Sequence, residues 1–273
     1  MSTGELDLDA YFQRIGYAGP REATTAVLEQ IHLAHATHIP FENLDIQLGR
    51  PIAIDLASIQ GKLVAGRRGG YCFEQNTLLA AALENLGFGV TPLSGRVRLG
   101  ASRILPRTHM LLNVQAAGED WLADVGFGTG GLLKPLRMRP EVVSRQFSWS
   151  FRLIQEAGFW RLQSLREGTW QDLYVFTLEP HHAIDFEMAN HYVSTHPGSR
   201  FVQTLAVQKQ SPGACYLLRN RELTVIEGET TSVRQIRDDE SLLAVLAETF
   251  GLEFPPGTRF KCLAGSDSPD VSA

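Results

Sequence analysis

The sequence predicts an α+β fold, with helices first, an antiparallel strand region next and a mixed α/β piece last. Apolar residues recur every three or four positions up to about residue 90 and every second position beyond it. Gly-containing turns punctuate the second region at Ala117-Gly118-Glu119, Ala157-Gly158 and Glu167-Gly168. After Pro180, short strand-like runs surround one further amphipathic stretch near 239–250.

Asp7 is placed to cap a first helix carrying Tyr11, Phe12 and Ile15, with Gly16 as its stop. Thr24 or Thr25 caps a second, with Val27, Leu28, Ile31 and Ala34, which must end near Pro40. Asp55 opens a third that presents Leu56, Ile59 and Leu63 on one face. A fourth follows Cys72, with Leu78, Leu79, Ala82, Leu83 and Leu86 at helical spacing and Gly87 as its left-handed stop. Strands are expected at 109–114, 121–125, 147–154, 159–165 and 172–178, forming an antiparallel meander or barrel. The polar tail from Gly265 to Ala273 is expected to fray.

The 273 residues are 44% hydrophobic and 20% charged, which is globular composition with enough apolar mass for a sizeable core. Net charge is −5 with the signs intermixed, so no basic stripe points to nucleic acid or a membrane surface. No apolar run is long enough to span a bilayer, and the acidic N-terminus lacks a signal-peptide core. Three dispersed cysteines, Cys72, Cys215 and Cys262, suit a reducing compartment better than a disulfide framework. Together these features suggest a cytoplasmic protein.

The strongest local signal is RGGYCFEQN at 68–76. Two glycines let the backbone turn tightly and approach a ligand. The cysteine that follows opens an amphipathic helix, where the positive end of the macrodipole favours a thiolate. A lone cysteine is more often a packed core residue, but Gly69-Gly70 and the polar Glu74-Gln75-Asn76 point to a nucleophile. A nucleophilic cysteine needs a base, and the base needs an orienting group. His109 and Asp124 are polar intrusions in strand-like sequence on either side of a turn near Ala116–Gly118. In a hairpin whose paired residue numbers sum to 233, they face each other; with a sum of 235, they are diagonal neighbours on one face. An even sum would separate them. His32, His35 and His38 recur every third residue on the second helix and are read as surface or partly buried, with no metal site. Cys215 and Cys262 are read as structural.

RGGYCFEQN, THMLL around His109 and DVGFG around Asp124, in that order, closely resemble the arylamine N-acetyltransferases. HIPFENL at 38–44 and NHYVSTHPGSRF at 190–201 also resemble that family, and the match runs from about residue 7 to 262. The resemblance implies a helical bundle over 1–90 carrying Cys72, a β-barrel over 91–190 carrying His109 and Asp124, and an α/β lid over 191–273. It also implies a papain-like Cys72-His109-Asp124 triad, with acetyl-coenzyme A as cosubstrate and no metal. Transfer to arylamines or hydrazines would then be ping-pong, through an acetylated Cys72. Phe41, Tyr71 and Phe127 resemble the acceptor pocket. The turn Gly128-Thr129-Gly130-Gly131 offers backbone for the coenzyme's pantetheine or phosphates.

Other readings compete. DVGFGTGG looks like the glycine loop of an S-adenosylmethionine methyltransferase, but Pro135 spoils the helix that must follow it. A cysteine hydrolase, a transglutaminase or an amide synthase would use the same three residues.

Overall fold

The computed structural model of the protein describes residues 5–263, apart from 102, 129 and 229. The tail beyond Leu263, where fraying is expected, lies outside the described residues, as does Thr129. The first part holds α1 (Leu8–Ile15), α2 (Thr25–His38), the short β1 (Phe41–Glu42), α3 (Leu44–Gln47), α4 (Leu56–Ile59) and α5 (Cys72–Asn85). Eight strands follow: β2 (Gly89–Val97), β3 (His109–Ala116), β4 (Glu119–Ala123), β5 (Leu136–Arg137), β6 (Ser144–Gln146), β7 (Trp149–Glu156), β8 (Phe159–Arg166) and β9 (Thr169–Phe176). The last part holds α6 (Ala183–Thr195), α7 (Arg200–Gln203), β10 (Ala206–Gln210), β11 (Ala214–Arg219), β12 (Glu222–Glu227), β13 (Thr230–Gln235) and α8 (Asp239–Phe250).

Local chemistry explains the helix ends. The Asp7 carboxylate accepts from Ala10 N at 2.9 Å, and Gly16 adopts φ 67° to stop α1. The Thr24 hydroxyl accepts from Val27 N to open α2. At α5, Glu74 Oε2 reaches back to Tyr71 N at 3.0 Å, the reciprocal half of a capping box. The helix expected from Asp55 through Leu63 stops at Ile59 and widens into a π-helical turn, Gln60–Ala65, where Gly66 N donates to Gly61 O.

The eight strands form one antiparallel sheet in the order β5-β4-β3-β2-β9-β8-β7-β6. It curls into a nearly closed barrel: the chain after β5 crosses to β7, where Glu141 N donates to Leu153 O at 2.7 Å. Two-residue turns set three of its hairpins, with left-handed pairs at Ala117-Gly118 (φ 52° and 74°), Ala157-Gly158 and Glu167-Gly168. β2 carries Pro92 and was not expected as a strand. The ladder tolerates the proline because β9 pairs only with Gly95–Val97, so no partner needs an amide at 92. Phe147 belongs to a turn (φ 57°), so β7 starts at Trp149. Helix α6, also unexpected, leaves Ile184, Met188 and Tyr192 exposed and buries only Phe186, Asn190 and Val193, so its periodicity is blurred in sequence.

A second antiparallel sheet, β1-β10-β11-β12-β13, includes a strand from the helical part, with Phe41 opposite Gln208. One apolar core joins the helices to the barrel; a smaller one joins this second sheet to α8 and takes in Leu44. α5 is the central element. Phe73, Leu78, Leu79, Ala82 and Leu83 are fully buried, each large side chain contributing about 1.5–3 kcal/mol of transfer free energy. Burial on nearly all sides fixes the position of the helix that starts at Cys72.

Candidate active site

Cys72 is the first residue of α5, and its sulfur lies 3.7 Å from Thr108 O, one residue before β3 begins. The two preceding glycines are needed for close approach to the protein itself rather than to a ligand. A Cβ on Gly69 would sit 2.1 Å from Pro40 O, and one on Gly70 would sit 2.6 Å from the Glu74 carboxylate that caps α5. Beneath this loop lies a buried ionic network: Lys62 Nζ reaches Glu74 at 2.8 Å and Asp45 at 2.9 Å, and Arg68 reaches Glu42 at 2.7 Å. Burial pushes the Glu74 carboxyl up to about 7 against the pull of Lys62.

The paired residues of β3 and β4 sum to 235, the diagonal register of the two expected. β4 ends at Ala123, so Asp124 lies just past the strand rather than within it, as do Val125 and Gly126. The face is kept. His109 Nε2 meets Asp124 Oδ2 at 2.7 Å, with both side chains buried. This leaves Nδ1 as the ring nitrogen available to Cys72, which is close enough to help raise the imidazole's pKa. Burial pulls the imidazole's pKa down, but the Asp124 charge and hydrogen bond, reinforced by Cys72, outweigh it and push His109 up to about 10. Burial alone would raise the Asp124 carboxyl; the His109 charge and hydrogen bonds from His109, Asn76 and Gly126 N hold it below its usual range. At neutral pH the geometry therefore holds an imidazolium against a carboxylate, next to a sulfur.

Residues with no part in the triad expected from sequence hold this arrangement. Asn76, one helical turn after Cys72, donates to Asp124 Oδ1 at 2.9 Å and to Met110 O, and accepts from Val125 N. Gly126 passes so close to α5 that a Cβ would fall 2.6 Å from Cys72 Cα. Tyr174 lies against the His109 ring at 4.7 Å, and Phe127 meets it edge-on at 5.3 Å. Asn76 was within the RGGYCFEQN signal; Tyr174 had no local signal, because β9 reaches β2 across the sheet from sequence 65 residues later than His109.

His32 and His35 correct the sequence reading of α2. Both are fully buried, and only His38 is exposed. His32 Nε2 accepts from Asp124 N at 3.1 Å, and His35 Nε2 bonds Gln75 Oε1 at 2.7 Å. Among the described residues, no group of three or more His, Cys, Asp or Glu is arranged to hold a metal, and no helix is long and apolar enough to cross a membrane.

The candidate ligand residues divide. Phe41, Phe127, Gly128 and Gly131 line a narrow cavity of about 20 Å³, together with Asp124, Gln208 and Cys215. Tyr71 is fully buried: its hydroxyl bonds Asn190, and its ring packs on Phe73 and Phe201. Gly128 and Gly130 take left-handed backbone (φ 85° and 62°), and Gly131 N closes the turn on Gly128 O at 3.0 Å.

A helical segment that presents a thiol to an imidazolium-carboxylate pair on a curled antiparallel sheet defines an α+β protein of the Cys-His-Asp type. The sequence pattern of the N-acetyltransferase family matches residues 24–258. The arylamine N-acetyltransferase of Escherichia coli is 41% identical over 248 residues, covering 90% of this chain and 88% of the relative. The solved arylamine N-acetyltransferase of Nocardia farcinica superposes with a TM-score of 0.88 at 43% identity, covering 93% of this chain and 92% of its own. That of Mycobacterium marinum, solved in complex with CoA, gives 0.86 at 33% identity over 90% and 92% of the two chains. The chain belongs to the arylamine N-acetyltransferase family.

Proposed function

We propose that the protein transfers the acetyl group of acetyl-coenzyme A to arylamines and arylhydrazines in two half-reactions, through an acetylated Cys72. The observation that carries this reading is the 2.7 Å bond from His109 to Asp124, with the other ring nitrogen left to Cys72. In the first half-reaction the Cys72 thiolate forms a bond to the thioester carbonyl carbon. The carbon–sulfur bond to coenzyme A then breaks, and the departing thiolate takes the proton from His109. In the second, the amine nitrogen attacks the acetyl carbon, the bond to Cys72 breaks, and the amine proton passes to His109. Asp124 keeps the imidazole oriented and stabilises its charged form throughout.

Phe41 and Phe127 are the acceptor walls in this reading, with Tyr71 supporting Phe41 from behind through Phe201. The cavity they line is the size of about one water molecule, so an amine enters only as these rings move apart. The Gly128–Gly131 turn is the candidate contact for the coenzyme, because the left-handed Gly128 and Gly130 leave backbone open to a ligand. That a relative binds CoA at all is shown by the Mycobacterium marinum complex. We read residues 1–90, 91–190 and 191–273 as the bundle, barrel and lid around this site.

Incubation with acetyl-coenzyme A alone, followed by intact mass and peptide mapping, tests the proposal. The expected result is one acetyl group on Cys72, which is discharged on adding an arylamine. Double-reciprocal plots at several amine concentrations are expected to be parallel. Intersecting lines without an isolable acetyl-enzyme would replace the covalent route with direct transfer. Acyl-enzyme formation only from peptide or amide donors would favour the hydrolase or transglutaminase reading.

A further inference from the structure

We infer that His32, on α2, is a positioning residue for Asp124. Its neutral ring holds the backbone turn that aims the carboxylate at His109. The inference rests on the triad reading above.

Asp124 stands where β4 has ended and its backbone has left the sheet ladder. Its amide is buried, and an unpaired buried N–H costs about 1–3 kcal/mol. The acceptor it finds is 92 residues away in sequence: His32 Nε2, at 3.1 Å. A ring nitrogen that accepts from an amide carries no proton, so the proton of neutral His32 is on Nδ1. There it donates to Leu133 O at 3.1 Å. Both ring nitrogens are thus committed, in opposite senses, to the two ends of the segment that runs from Asp124 past the glycine turn to Leu133. Burial holds the ring's pKa down at about 4, so it stays neutral where the enzyme works.

One turn further along the same helix face, His35 repeats the device on the sulfur side. Its Nε2–H donates to Gln75 Oε1, and its Nδ1 accepts from the Tyr11 hydroxyl at 2.8 Å. Gln75 then donates its amide protons to Gly70 O, two residues before Cys72, and to Pro40 O, the carbonyl against which Gly69 packs. Residues three apart on a helix share a face. One rigid helix therefore fixes the loop before Cys72 and the turn at Asp124 in a common frame.

The two amide substitutions at position 32 separate positioning from simple packing. Gln places its oxygen near the site of Nε2 and keeps an acceptor for Asp124 N. Asn reaches only as far as Nδ1, keeps the Leu133 contact and orphans Asp124. The readout is the iodoacetamide alkylation rate of Cys72 against pH, with Asp124→Asn as reference and melting temperature measured in parallel. His32→Asn is expected to move the alkylation midpoint upward by about one pH unit, a tenfold change in the underlying equilibrium, and to lower kcat about tenfold with little change in KM. His32→Gln is expected to keep the wild-type profile. Wild-type profiles in both variants, whatever their melting temperatures, would overturn the role of His32. If His32→Asn does not fold, a shifted profile in a well-folded His32→Gln would overturn it equally. A profile that fails to move in Asp124→Asn would instead remove the triad on which this inference rests.

Discussion

Cys72 and Cys215 are about equally covered, at 5% and 2% exposure, so access cannot distinguish their thiols. Charge does: burial pushes the Cys215 thiol up, and Cys262 likewise, whereas Cys72 faces the imidazolium of His109. Iodoacetamide is therefore expected to label Cys72 well before the other two in the native protein, as read by peptide mapping over time. Cys72→Ala is expected to abolish transfer with the fold intact, and Asp124→Asn to lower kcat by about 10⁴, because an amide admits the wrong imidazole tautomer. The buried pair also predicts a pH dependence of stability. His109 holds its proton up to about 10 when folded and 6.5 when unfolded. Its contribution is thus complete below 6.5 and is lost as pH rises through 10. Asp124, depressed below 3.8, contributes above that value and loses its share as pH falls through its folded value. Urea midpoints measured from pH 6 to 10 should fall in the wild type, and the fall should be much smaller in His109→Gln.

At the scale of elements, the site depends on how closely α5 meets the backbone that leaves β4. Gly126 is the contact point. A methyl group there meets Cys72 Cα at 2.6 Å and Cys72 O at 3.1 Å, main-chain atoms that cannot rotate aside. Gly126→Ala is expected to cost about 1–3 kcal/mol in urea denaturation and to lower the alkylation rate of Cys72, because the helix start must shift away from His109. The same substitution at Gly118, in the hairpin turn, strains only a left-handed residue with open space around it. It should therefore lower stability without changing the alkylation rate. Equal effects of the two substitutions on alkylation would show that the close approach is not what sets the geometry.

Across the whole molecule, Asn43 links the first part of the chain to the last. Its amide donates to Phe201 O and Thr204 O at 2.8 and 2.7 Å and accepts from Ala206 N at 2.8 Å, where β10 joins β1. Asn43→Ala orphans Ala206 N, while Gln47 Nε2 still reaches Phe201 O and Thr204 O, and is expected to cost about 1–3 kcal/mol by the usual penalty for a buried unmet group. Hydrogen exchange should localise the loss. Amides of β10 and β11 are expected to exchange faster, while those of β3 and β8 change little. Uniform acceleration throughout the barrel would mean that the second sheet has no independent opening.

The sequence alone determined the elements whose signals are local. Caps at Asp7 and at Thr24 or Thr25, the stop at Gly16 and the three two-residue turns depend on short-range hydrogen bonds and left-handed backbone, which particular residue types announce; the structure settles the second cap on Thr24. Cys72, His109 and Asp124 were legible because a helix start and a hairpin of period two fix which side chains share a face, whichever odd register is chosen. Tertiary structure decided the rest. It chose the register of 235, ended β4 before Asp124, and carried Pro92 in a strand that β9 does not pair at that point. It turned Gly69-Gly70 toward Pro40 O and the Glu74 side chain, and it fully buried His32 and His35, which the sequence reads as surface or partly buried. The burial of His32 and His35 and the close approach of Gly69 to Pro40 rest on contacts between residues far apart in the chain. The identity of a side chain limits what it can donate, accept or bury, but only the packed fold supplies the partner.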